Sequence, residues 1–257
     1  MSNFMLIGID VESSDKKVAE SEITQIGLGF FVVNNNNNEA PLQLKGFETL
    51  VKCKQTICEQ ASLVTGIKNS DLVDAPCFLD AITSLANFID EVCEPYGKIR
   101  RVLVAYNGKK FDIPLFVYEL RRNGKDPVAF FRSWKIDYFF DPFVLCKNVL
   151  DTTLLQKNER GQPDYRLSCV YEAFFKKPLK DAHSALADTE AMLDLIVQNE
   201  CLLSALKKAQ LDNEQTDFLL DLLGIVQNVK KIKGKKRTSL ATISLLSASM
   251  KKKSKKA

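Results

Sequence analysis

The sequence predicts an α/β domain, a mixed sheet flanked by helices, on three observations. Residues 5–11 and 24–33 are apolar runs rich in β-branched and aromatic residues. A third extended stretch follows near 42–52. From residue 76 onward, amphipathic helical stretches alternate with short apolar strands. At 257 residues and 46% apolar content the chain can bury one good core. We therefore expect a main domain over 1–200, a helical extension over 201–229 and a basic tail over 230–257.

Residues 5–52 read as an antiparallel meander. The asparagine tract from Asn34 to Asn38 sits in it as a loop insertion without function. Leu63-Val64-Thr65-Gly66-Ile67 is expected to be a turn with a glycine hinge, followed by a short helical piece near 68–72. Pro76 opens a helix to about Glu94, placing Phe78, Ile82, Leu85, Phe88, Ile89 and Val92 on one face. Residues 101–106 form a central strand. Asp112 starts a helix that runs to about Arg122, where Asn123-Gly124 stops it. Residues 125–135, with the only tryptophan, Trp134, are assigned to a loop, and 138–140 to an edge strand. Asp141-Pro142 reads as an N-cap followed by proline at the first helical position, which makes Asp141 structural. Helices near 142–149, 166–175 and 184–199 follow, then a leucine-bearing helical region over 201–229.

The net charge of +4 is unevenly divided. Residues 230–257 hold eleven Lys or Arg and no acid; the other 25 basic residues face 32 acids, leaving 1–229 at −7. Such a cationic arm suits a polyanion, nuclear import through Lys230 to Arg237, an anionic surface, or plain solubilisation. No apolar run reaches the roughly 20 residues of a membrane span. The N-terminus lacks a secretory pattern. Seven cysteines without a CxxC pair, mostly in apolar periodic stretches, imply buried free thiols in a reducing, intracellular compartment, nucleus or cytoplasm.

Three segments carry the chemistry. Asp10 and Glu12 stand two apart on a strand, so their side chains point the same way while Val11 points opposite. A DxE pair alone is a weak signal. Asp112 begins a helix and could be an ordinary cap, yet it could also point into a cleft beyond the Asn107-Gly108 turn. His183 is the only histidine, five residues before Asp188. On one helix the two would lie about 140° apart. The simpler arrangement places His183 on the preceding loop, where it can accept a proton, and Asp188 within the first turn. Four carboxylates in one cleft are costly unless cations neutralise them, and hard oxygen donors favour Mg²⁺, with Mn²⁺ substituting. Two such ions roughly 3.5–4 Å apart suit in-line displacement at phosphorus.

The segments Ile7-Gly8-Ile9-Asp10-Val11-Glu12-Ser13, VAYNGKKFDIPLFVYELRR and AHSALADTEAML, in that order, resemble the three motifs of the DEDDh (DnaQ-like) exonucleases of the ribonuclease H-like fold. Within that family they look most similar to three-prime repair exonucleases. The resemblance implies that Asp10, Glu12, Asp112 and Asp188 are metal ligands and His183 the general base. It also implies that Ser13, through its backbone, and Ile67, Asn107 and Phe111 meet the terminal nucleotide. The implied activity is Mg²⁺-dependent 3′→5′ exonucleolytic release of nucleoside 5′-monophosphates from single-stranded or frayed DNA ends. An RNA 3′-exonuclease and a catalytically silent binding module of the same fold are the alternatives. A homodimer is compatible with the sequence.

Overall fold

The computed structural model describes residues 3–34 and 40–211. The asparagine tract from Asn35 on, the part of the expected helical extension beyond Leu211, and the basic tail lie outside the described residues. Strands β1 (Phe4–Ser13), β2 (Ile23–Val33), β3 (Leu42–Leu50), β4 (Arg100–Val104) and β5 (Tyr138–Phe140) form one sheet in the order β3-β2-β1-β4-β5. β1 to β3 are the expected antiparallel meander; β4 and β5 add in parallel, with β5 at the edge. The helices are α1 (Glu59–Thr65), α2 (Phe78–Cys93), α3 (Asp112–Arg122), α4 (Pro127–Ser133), α5 (Pro142–Val149), α6 (Leu167–Phe175), α7 (Ala185–Gln198) and α8 (Glu200–Leu211). The architecture is the expected α/β one, a mixed sheet with helices on its flanks.

Two local assignments need correction. Residues 63–65 end a helix rather than form a turn: Cys58 caps α1 from its thiol, and Gly66 closes it in the left-handed conformation (φ 74°). Residues 127–133 are helical rather than a loop. The Asp126 side chain accepts the Ala129 amide, Pro127 sits at the first helical position, and Trp134 is buried at the C-cap. That segment packs Phe130, Phe131 and Trp134 around Phe116 of α3, with ring centroids 5.1–6.1 Å apart. The cysteines are free, yet only Cys93, Cys146 and Cys169 are buried; Cys77 and Cys201 are exposed.

Alternation along β1 divides the core. Met5, Ile7, Ile9 and Val11 share a buried cluster with residues of α2 and α3. Phe4 and Leu6 belong to a second cluster that holds Met192, Leu193 and Ile196 of α7 and Leu206 of α8. Gly8, Asp10 and Glu12 continue that second parity. Here the sheet is built for close approach. A Cβ at Gly8 would stand 2.6 Å from Thr189 Cγ2, and one at Gly27 only 2.2 Å from the Ala185 carbonyl carbon and 2.4 Å from the Leu186 amide nitrogen. Gly29 and Gly46 line the same bed, against Thr189 and Leu186. Gly8 pairs with Gly29 and Asp10 with Gly27 across β1 and β2. The first turn of α7 therefore lies directly over the acidic end of β1.

Polar contacts fix that placement. The Ala185 amide donates to Gln25 Oε1 (3.1 Å), and the Leu186 amide and Ser184 hydroxyl both donate to Glu48 Oε1 (3.0 and 2.8 Å). Two strands thus hold the start of α7 through groups that would otherwise be orphaned amides.

Gly27→Ala is expected to cost about 1–3 kcal/mol or more, because backbone, not a movable side chain, blocks its Cβ. Gly46→Ala, which chiefly meets the flexible Leu186 side chain at 2.5 Å, should cost less. Urea midpoints of the two variants check the order.

Candidate active site

The four acids arrive from three pieces of local structure. Asp10 and Glu12 extend from the last turn of pleat in β1, with Val11 buried opposite. Asp112 occupies the first position of α3, after Phe111, whose side chain makes no cap. It is 4% exposed, and its Oδ1 accepts the Val11 amide at 3.2 Å, tying α3 to β1. Asp112 therefore links two elements while also accepting the first amide of its own helix. Asp188 lies in the first turn of α7, which Ser184 caps, and His183 lies on the loop before it. That loop is held in left-handed conformations at Asp181 (φ 52°) and His183 (φ 72°), uncommon for residues with a side chain. The His183 amide donates to Asp188 Oδ2 at 3.2 Å, which leaves the exposed imidazole free of that bond.

Asp10, Glu12, Asp112, His183 and Asp188 line one cleft of about 1100 Å³, together with Asn107 and Phe111. Glu12, His183 and Asp188 each offer a ligand atom within 4.8 Å of the others. Ser13 and Ile67 stand apart from this lining. The Ser13 hydroxyl donates to the Asp15 carbonyl (2.7 Å), and Ile67 is buried beside Ile57, Ala61 and Leu72.

Crowding shows in the protonation of the acids. Burial, then the charges of Asp112, Glu12 and Asp188, hold the Asp10 carboxyl well above the ordinary range. Burial, with Asp188 and Asp112, pushes Glu12 up to about 8. Burial raises Asp112 to about 7, against the opposing bonds from its own amide and that of Val11. Asp188 is also raised by burial, with His183 acting in the opposite direction. A cleft whose carboxylates resist ionisation, built of hard oxygen donors beside an imidazole, fits a divalent cation.

Sequence reasoning left the far wall unread. Tyr106, Phe143, Lys147, Asn158 and residues 162–168 form that wall, and Lys16 and Ala182 also line the cleft. The Tyr106 hydroxyl donates to the Tyr165 carbonyl at 2.7 Å. Asp141 caps α5 as expected and in addition accepts the Asn107 amide at 2.8 Å, so the cap also positions the loop beside Asp112. The Asp126-Pro127 and Asp141-Pro142 pairs carry the same sequence signal, an aspartate cap followed by proline at the first helical position.

The sheet order, with these acids at the end of its central strand and a helix laid over them, defines a DnaQ-like domain of the ribonuclease H-like fold. The profile of the family described as Exonuclease (RNase_T) matches residues 7–196, well over half of the sequence, and the chain belongs to that family. Comparison with curated protein sequences gives no match. Among solved structures, the fold is similar to that of E. coli exonuclease I in complex with a dT13 oligonucleotide, with a TM-score of 0.60 and 17% identity over 80% of this chain and 43% of that one. The same enzyme with a dA16 oligonucleotide gives 0.57 and 18% over 80% and 43%. At these identities the likeness is one of fold, and this chain spans less than half the length of exonuclease I.

Without metal, thermal stability is expected to fall as pH rises from about 5 to about 8. In that window the folded chain keeps protons on Glu12 and Asp112 that the unfolded chain has released, so the stability present at low pH is lost on the way up. Glu12→Gln should flatten the slope. Melting curves in EDTA check it, and a flat or rising wild-type profile would contradict the crowding.

Proposed function

We propose that the chain is a divalent-metal-dependent 3′→5′ exonuclease that removes nucleoside 5′-monophosphates from single-stranded or frayed DNA ends. The observation that carries this reading is the convergence of four carboxylates and the only histidine on one cleft, in a chain of the exonuclease family. Asp10, Glu12, Asp112 and Asp188 would hold the cations, Mg²⁺ by preference with Mn²⁺ substituting. When bound, two such ions supply Lewis-acid polarisation of the phosphoryl group and neutralise charge on the attacking and leaving oxygens.

The chain's own groups do the rest. His183 is exposed and close to Glu12 and Asp188, so its imidazole can take a proton from the attacking water and pass it to solvent. The bond from its amide to Asp188 sets the loop without engaging the ring. Asn107, held left-handed at φ 57° by its bond to Asp141, and Phe111 flank the acids where the terminal sugar and base would lie. The preference for DNA draws support from the oligodeoxynucleotides held by the structurally similar exonuclease I.

His183→Ala is expected to slow cleavage by about 10²–10⁴-fold, the usual worth of a positioned base, and Asp188→Asn by at least as much. Time courses on matched end-labelled DNA and RNA oligonucleotides, with and without EDTA, read both the chemistry and the sugar. Faster loss of the RNA would reassign the substrate. Cleavage that survives EDTA or both substitutions would refute the reading. Mg²⁺ at 100 times its Kd should also stabilise the wild-type fold by about 2.7 kcal/mol, and Asp188→Asn should lose most of that gain.

A further inference from the structure

The cleft runs well past the acids. Its volume of about 1100 Å³ exceeds the roughly 300–1,000 Å³ usual for a small-ligand site. Along its far wall, Phe143 and Lys147 lie one turn apart on α5. The Lys147 ammonium stands 4.1 Å from the Phe143 ring centre and 5.5 Å from that of Tyr165. The Tyr106 ring meets Phe143 edge-on, centroids 5.5 Å apart, and its hydroxyl anchors the Tyr165 backbone. Arg166 is drawn to Asp164 through Nε at 2.8 Å and Nη2 at 2.6 Å, with its amide bonded to the same carboxylate at 3.0 Å. Its charge is therefore matched locally, whereas Lys147 leans over aromatic faces. These contacts build a braced wall of rings with an exposed cation on it.

We propose that Phe143, Lys147 and Tyr165 form a subsite for the nucleotide on the 5′ side of the scissile bond. The rings take its base and Lys147 its phosphate. The inference rests on the exonuclease reading and follows from chain polarity. A 3′-terminal nucleotide at the acidic end has no phosphate beyond it, so every further phosphate lies on the 5′ side. Carboxylates repel such a phosphate, and an ammonium over a π-surface outside their cluster attracts it while the rings stack on the base. Recognition of this kind reads base faces and backbone charge, so it tolerates sequence and requires an unpaired strand.

The test compares two substrates of the full-length enzyme. One is a single-stranded oligodeoxynucleotide. The other is the 4-nitrophenyl ester of thymidine 5′-monophosphate, in which nitrophenol replaces the upstream nucleoside. For Phe143→Leu, kcat/KM on the oligonucleotide should fall about tenfold further than on the ester, within the range for losing one stacked base. For Lys147→Gln, the oligonucleotide should again lose more than the ester. Its dependence of log kcat/KM on log salt should also flatten by about 0.7, the value for one single-strand phosphate. Equal losses on both substrates would place these residues at the terminal nucleotide or in the fold alone, and would overturn the subsite. An unchanged ratio would overturn it as well. A wild-type protein that cleaves neither substrate would instead remove the exonuclease reading beneath it.

Discussion

Helix α7 rests on β1 and β2 at a separation that only glycine permits, and the geometry of the cleft follows from that approach. With Cβ atoms at Gly8 or Gly27 the helix would be lifted off the sheet, or the strands pushed apart, by contacts of 2.2–2.6 Å. Lifting it would carry Asp188 away from Glu12 and Asp10, because the acid sits in the very turn the glycines accept. The bonds that the first amides of α7 donate to Gln25 and Glu48 then fix rotation and slide, which the glycine bed alone would leave free. Close packing sets the distance, and polar contacts set the angle.

That proximity has an electrostatic cost. Burial favours the neutral form of all four carboxylates, and repulsion by neighbouring acids adds to it at Asp10, Glu12 and Asp112, the reverse of what a stable surface would select. Folding nevertheless succeeds because the apolar halves of β1 and β2 are buried on both faces, against α2 and α3 on one side and α7 and α8 on the other. The core tolerates a strained polar end, a division of labour common in sites that bind multivalent cations.

Much of this was legible from spacing. The two-residue period of a strand put Asp10 and Glu12 on one face, and the angular period of a helix separated His183 from the helix that carries Asp188. Those rules are local, so the sequence expresses them directly. The glycine bed is not local: Gly8, Gly27, Gly29 and Gly46 are unremarkable until β1, β2 and β3 pair. Helix α4 was missed although Asp126-Pro127 is the same cap signal as Asp141-Pro142, because the aromatic cluster after it does not follow one amphipathic stripe. α1 is only seven residues long and is capped by a thiol, a weak signal in any pattern. The far wall was invisible for another reason. Phe143 and Lys147 share a face of α5, but Tyr165 reaches them only through the segment between α5 and α6.

Toward its end, β1 gives Ile9 and Val11 to the apolar core and Asp10 and Glu12 to the cleft. Its composition can drift, within limits of size and polarity, without disturbing that division. Its length cannot. Inserting or deleting a single residue between Gly8 and Glu12 would turn a carboxylate toward α2 and α3 and an aliphatic side chain toward the cleft, and would shift the glycines out from under α7. Lineages descending from this chain should therefore accumulate substitutions along the strand while confining length variation to the connections around it.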